Sequence, residues 1–299
     1  MSNKPARNIS DQIQLLKDRG MLFRDETRAY QFLENISYYR LKGYWWDMQK
    51  DRIAHVFSPY SYFESAVERY NFDRRLRLIL FDAIERIEIA LRTKIIYYLS
   101  ISYGAIWYLD NSLFVEQDKH HEHIKHLQRE FSYSQEIFIK DHRRNQPNTN
   151  AEAWKIMEVA SMGTLSKFYK NLKHQLPEKS LIAKEMGLNL HSELSSWLEA
   201  IVYVRNIIAH HSRLWSRNMV KRPIDNINNP TGYWFENDLL AVQKKKPFLI
   251  ISSMIYLCNT ITPNHQTKDK IIELIESNPE VPIYKLGFLN NWESEPIWK

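Results

Sequence analysis

Cysteine is nearly missing from this chain. The single Cys258 among 299 residues excludes an intramolecular disulfide and suits a reducing, cytoplasmic compartment. Glycine is scarce as well: the 7 glycines fall mainly at the ends of periodic segments, which points toward helices. No apolar run approaches the roughly 20 residues needed to cross a bilayer, so no membrane partner is expected. The first residues, MSNKPARNISDQ, lack the apolar core of a signal peptide. No Gly-rich phosphate loop and no Gly-x-Ser-x-Gly elbow occurs, and there is neither an internal repeat nor a low-complexity tract.

What is present is ordinary in bulk and unusual in detail. Hydrophobic residues make up 44% and charged residues 25%, as in a soluble globular protein. Aromatic residues reach 13%, with 17 tyrosines. The net charge of +6 favours anionic partners, nucleic acid first among them. At this length the chain is one large domain or two small ones, with a substantial core.

The hydrophobic period is helical nearly throughout and predicts an all-α fold. SDQIQLLKDRG reads as a helix capped by Ser10 and stopped at Gly20, and Asp25 caps a second. The aromatic patch Ile36–Met48, broken by Gly43, fits a helix end or a short strand, and Asp51–Pro59 a turn or small hairpin. Phe72–Ser100 is the strongest helix: Leu76, Leu80, Ile84, Ile87, Leu91, Ile95 and Leu99 keep the spacing of one buried stripe. Asp141–Glu152 reads as a loop, and Met162–Thr164 as a helix break. Asn189 or Ser192 starts a long helix, and Pro247–Ile261 is a buried helix or, less in keeping, a strand. KDKIIELIES (Lys268–Ser277) reads as a last amphipathic helix. The division that follows is an N-terminal helical segment at 1–60, a core at 61–220 and a C-terminal extension at 221–299.

One stretch, YVRNIIAHHSRLW (Tyr203–Trp215), breaks the pattern of a helix that buries itself. At about 100° per residue, Leu194, Trp197, Leu198, Ile201, Val204 and Ile208 share one stripe. Asn206 and His210 share another, one turn apart. Arg205 projects near the edge of the apolar stripe, where it requires a carboxylate or an anion, because an unpaired buried charge costs several kcal/mol. The combination suits phosphodiester chemistry on RNA, which carries its own nucleophile in the 2′-OH. Histidine moves protons near neutrality, an arginine fork matches phosphate oxygens, and Asn206 orients the imidazole. A structural alternative stands beside it: Arg205 paired with Glu85 or Glu88, and His210 a helix-end cap.

YVRNIIAHHSRLWSR resembles the signature of the bacterial abortive-infection (Abi) family, whose members carry a HEPN-type Arg-x₄₋₆-His motif. ISYYRLKGYW (Ile36–Trp45), FDRRLRLILFDAIERIEIALRT (Phe72–Thr93) and GTLSKFY (Gly163–Tyr169) look like the same family, in the same order. The resemblance covers roughly residues 8 to 220. It implies a HEPN-like helical bundle, a role in antiviral defence or toxin–antitoxin systems, and metal-independent RNA cleavage or RNA binding. The family's catalytic pair falls on Arg205 and His210, with Asn206 as the polar residue after the arginine. Relatives and type VI CRISPR effectors are linked to RNA partners, which implies a bound non-coding RNA as inhibitor or guide. HEPN nucleases bring two motifs together, and one copy per chain implies a homodimer.

The remaining candidates are simpler. His120, His123 and His126 are spaced for a helical zinc pair, but no cysteine or carboxylate set completes a site, so a solvated face is expected and no metal or other cofactor. His211, Arg213, Trp215, Arg217, Lys221 and Arg222 follow the motif and are the expected RNA contacts; Trp215 and Tyr203 read either as stacking platforms for bases or, more in keeping with the pattern, as core aromatics. Two functions compete: an endoribonuclease toxin acting through Arg205, Asn206 and His210, and a catalytically silent protein that senses or sequesters RNA.

Overall fold

The computed structural model describes residues 5–299. The described residues are 64% helical, in thirteen α-helices and several short 3-10 turns, against a single two-stranded sheet, so the fold is an all-α bundle. In chain order the first elements are α1 (Ile9–Asp18), α2 (Glu26–Asn35), α3 (Tyr38–Trp45), a hairpin of β1 (Gln49–Asp51) and β2 (Val56–Phe57), and α4 (Phe63–Tyr103). Next come α5 (Gln117–Tyr133), α6 (Ile137–Asn145), α7 (Ala153–Ile156), α8 (Met162–Asn171), α9 (Pro177–Glu185) and α10 (His191–Ala209). The C-terminal part holds α11 (Ala241–Lys245), α12 (Pro247–Ile261) and α13 (Thr267–Glu276).

α4 is the spine. At 41 residues it begins nine positions before the expected Phe72, because Phe63, Ala66 and Val67 continue the apolar stripe toward the N terminus. Leu76, Leu80, Ile84, Ile87, Leu91, Ile95 and Leu99 are all buried along it, each contributing about 1.5–3 kcal/mol of transfer free energy. Helices α3, α8, α9, α10, α12 and α13 pack against this spine. α12 is a helix, buried from Pro247 to Cys258, and it contacts both α4 and α10. The segment 221–299 therefore shares one continuous core with residues before it rather than standing apart. Cys258 belongs to that core, its Sγ 3.9 Å from the Ala83 carbonyl oxygen, and burial pushes its thiol up to about 12.

Three local expectations change. Asn8, not Ser10, caps α1, its side chain accepting from the Asp11 N–H. Met162–Thr164 is the first turn of α8 rather than a break, because Ser161 caps it and accepts from the Thr164 N–H. The loop expected at Asp141–Glu152 starts only after Asn145, since Ile139 and His142 bury one face of α6. The aromatic patch resolves as α3 and a 3-10 turn (Trp46–Met48), with the hairpin after it, and Asp25 caps α2 as the sequence predicts.

His120 is buried rather than solvated. Its Nε2 lies 2.7 Å from the Tyr108 carbonyl oxygen and its Nδ1 2.6 Å from the Asn111 side-chain amide, while its ring stacks on Phe114 at 3.9 Å. Burial holds His120, His123, His191 and His265 below the ordinary imidazole value of 6.5. A depressed imidazole keeps its stabilising contribution above the unfolded-state value and loses it as pH falls toward the folded-state one. Thermal melts should therefore show a falling Tm as pH drops from about 7.5 to 5.5, with a shallower slope in His120→Gln. A flat or rising Tm over that window would contradict the reading of these four rings, one buried and three partly buried, as held neutral by desolvation.

Candidate functional site

α10 leaves the core at its C terminus in a tight cap. The Ser212 N–H donates to the Ile207 carbonyl at 2.8 Å, and the His211 N–H donates to the Ile208 carbonyl at 2.9 Å, the paired bonds of a Schellman turn. The residue that turns left-handed in such a cap is usually glycine. Here it is His211, with φ of +52°, a conformation that costs a side-chain-bearing residue on the order of 1 kcal/mol. A second fastening offsets that strain: Arg40 of α3 donates to the His211 carbonyl oxygen at 2.8 Å.

The chain beyond the cap is pinned to α4 by Asp73. This carboxylate is completely buried and accepts from the Trp215 N–H at 2.7 Å, the Leu214 N–H at 3.2 Å and the Tyr44 hydroxyl at 2.7 Å. Arg77 approaches its Oδ2 through Nε at 3.4 Å. Burial pushes the Asp73 carboxyl up despite these donors, and burial together with the neighbouring carboxylate pushes the Tyr44 hydroxyl up. Gly43 in α3 makes room for Arg213, whose Nε lies 2.9 Å from where a Cβ would stand.

Between α3, α4 and the end of α10 opens a cleft of about 660 Å³. Its polar lining is Arg40, Arg74, Arg77, Arg205 and His211; Tyr70, Leu78, Phe81, Ile208 and Ala209 complete it. No carboxylate lines it. Arg205 is half-buried and, among the described residues, makes no ion pair or hydrogen bond. Glu88, offered by the sequence as its structural partner, is instead bound to Arg92 at 2.7 Å. An arginine so placed, beside three others, is the arrangement that a phosphate dianion or a phosphodiester satisfies.

The structure distributes the sequence-predicted residues unevenly. It brings Arg205 and His211 into the cleft. Asn206 and His210 are exposed one turn apart on the neighbouring face, His210 between the lining residues Ala209 and His211. Lys221 is tied to Glu199, which also holds Lys170, and Arg222 is exposed. Two expected RNA contacts are corrected. Trp215 is fully buried against Phe72 and under Arg69, so it has no face on which a base can stack. Arg213 is half-buried, gives a guanidinium N–H to the Trp215 carbonyl, and serves the loop. Arg217 donates to the Arg213 carbonyl at 2.7 Å and extends the same scaffold.

Sequence reasoning passed over Arg40, Arg74 and Arg77. Their signal was present, since they stand in Ile36–Trp45 and Phe72–Thr93, two of the stretches singled out beside the motif. Nothing in the period of either helix says that both converge on α10. Among the described residues no group of His, Cys, Asp and Glu is placed to hold a metal ion, and no helix is long and apolar enough to cross a membrane.

The chain matches the Abi-like protein family over residues 31–216. That span holds α3, α4, the motif helix and the Asp73-anchored exit loop, which are the elements that build the cleft. No curated protein and no solved structure matches the chain. The matched span is well over half of the chain and contains every polar residue of the cleft, so the protein belongs to the Abi-like family, with the abortive-infection role in phage defence that the family carries.

Proposed function

We propose that the protein is a metal-independent endoribonuclease whose site is the Arg205 cleft and the adjoining Asn206–His210 face. One observation carries this reading: a half-buried Arg205 without a carboxylate partner among the described residues, sharing its cleft with Arg40, Arg74 and Arg77. In this reading a phosphodiester lies on the arginines. His210 takes the proton of the 2′-OH, whose oxygen attacks phosphorus. The P–O5′ bond breaks, and the departing 5′-oxygen takes a proton from a second imidazole. The products are a 2′,3′-cyclic phosphate and a 5′-OH. Arg205 balances the extra negative charge of the transition state, and Asn206 orients the imidazole. An RNA held on the same arginines without being cut would act as an inhibitor, the form of control that a regulatory non-coding RNA requires.

The test is cleavage of single-stranded RNA by the purified protein in excess EDTA, with the ends identified. Unchanged rate with cyclic-phosphate ends is expected. Complete loss in EDTA, or 3′-OH ends, would overturn the mechanism. A second reading, a silent RNA-binding protein, draws on the exposure of His210 and Asn206 outside the cleft lining. Intact RNA with salt-sensitive binding would favour it.

The second imidazole is supplied in this proposal by another copy of the chain. Leu78 and Phe81, 61% and 44% exposed, flank Arg205 in the cleft wall, and most soluble oligomers are two-fold symmetric. Light scattering should give twice 35.9 kDa for the RNA-free protein. The neutral double variant Leu78→Gln, Phe81→Gln should fall to the single-chain mass and lose cleavage by about 10²-fold. An active wild-type protein at the single-chain mass excludes the composite site.

A further inference from the structure

α3 has a second cationic wall, facing away from the Arg205 cleft. There a pocket of about 590 Å³ is lined by Arg7, Arg19 and Lys42 together with Tyr38, Tyr39 and His55, with no carboxylate in its lining. Its size falls in the ordinary range for a small-molecule site. Lys42 Nζ stands 5.7 Å from the centre of the Tyr39 ring and 5.3 Å from that of Trp46. Both rings are exposed, Tyr39 by 79% and Trp46 by 40%. Arg19 is held in place by the Tyr38 hydroxyl, to which its Nη1 donates at 3.2 Å. A tyrosine and a tryptophan left in solvent beside three permanent cations form a stacking surface with phosphate-binding groups within reach, the pairing that holds single-stranded nucleic acid.

We propose that this pocket binds a nucleotide unit of a single-stranded RNA, its base stacked on Tyr39 and its phosphate held by Arg19 and Lys42. The proposal rests on the reading of the Arg205 cleft as an RNA site, and it adds a path. Tyr39 and Arg40 are consecutive residues on α3, one facing the pocket and the other the cleft. A helix with its side chains is about 10–12 Å across, so a strand seated in the cleft reaches the pocket within a few nucleotides. The pocket therefore selects unpaired RNA, because a duplex offers no free base face to Tyr39.

The test is equilibrium binding of a fluorescently labelled oligouridylate to the full chain, in wild type, Tyr39→Ala, Lys42→Glu and Arg205→Ala, with fold checked by circular dichroism. Tyr39 is exposed, so its removal leaves the core untouched. Tyr39→Ala should weaken binding by about tenfold, in the range of one lost base stack. Lys42→Glu should weaken it at least as much and lower the slope of log affinity against log salt by about 0.7. A matched RNA duplex should compete poorly. Wild-type affinity in both pocket variants overturns the proposal, and so does equal competition by duplex. Uridine monophosphate presents the same chemistry; displacement of the oligomer by it at equal concentration assigns the pocket to free nucleotides and overturns the strand path. Failure here is separable from failure of the ribonuclease reading, which is scored by cleavage in His210→Ala and not by binding.

Discussion

Arg205→Ala and His210→Ala should each abolish RNA cleavage in a protein that melts like the wild type. Arg205 forms no ion pair among the described residues and His210 is exposed at the helix end, so neither substitution opens a cavity or orphans a buried partner. Surface changes of this kind shift stability by about ±0.5 kcal/mol. The catalytic effect is expected to be much larger. Removing a proton-transfer group costs about 10²–10⁴-fold, and removing a preorganised charge at the reacting phosphate costs about 10²–10³-fold. Arg205→Lys should recover only part of the rate, since an ammonium keeps the charge without the planar fork. His211 separates strain from chemistry. His211→Gly relieves the left-handed backbone and should raise stability by up to about 1 kcal/mol, while the carbonyl that Arg40 holds remains. Undiminished cleavage by His210→Ala would defeat the assignment; if His211→Gly is then the inactive variant, the imidazole inside the cleft performs the proton transfer instead.

How far the sequence reached depended on whether a feature is local. The period of Leu76 to Leu99 defined α4 because one buried stripe is written in one segment. Asp25 was legible as a cap because its side chain bonds three residues away. Arg205 was legible as an anomaly, a charge beside an apolar stripe, and its lack of a carboxylate partner is what the structure adds. The cleft itself was not legible. Arg40, Arg74 and Arg205 come from three helices, and only their packing makes them neighbours. Trp215 stayed open between stacking platform and core aromatic for the same reason: its environment is set by Phe72 and Arg69, about 140 positions earlier, and they make it a core residue. The left-handed turn at His211 has no sequence mark at all, because the residue that normally announces it is glycine.

The largest stability effect is expected at Asp73. Its carboxylate joins α4 to the motif's exit loop through the Leu214 and Trp215 N–H groups, to α3 through Tyr44, and to Arg77 beside it. Asp73→Ala leaves two backbone donors and the Tyr44 hydroxyl without their acceptor and the buried Arg77 guanidinium without its counter-charge, and breaking one side of a buried pair costs about 3–5 kcal/mol. For a chain of this size that is a fall of roughly 5–15 °C in Tm. Asp73→Asn, which keeps an acceptor oxygen, should lose less. The pairing itself is tested by a double-mutant cycle with Arg77→Met, which removes the orphaned charge. If Asp73 neutralises Arg77, the double variant should regain at least about 1 kcal/mol over the sum of the single losses; strict additivity would show that Asp73 serves only the backbone. Cleavage should disappear in Asp73→Ala at temperatures well below its melting point. With the 214–215 backbone released, α4 holds the exit loop only through the contacts of Phe72 and Arg69 with the Trp215 ring, and Arg205 is expected to lose its place facing Arg74 and Arg77 across the cleft. Full cleavage by a folded Asp73→Ala protein would mean that the cleft geometry is set by Arg40 and the helix cap alone.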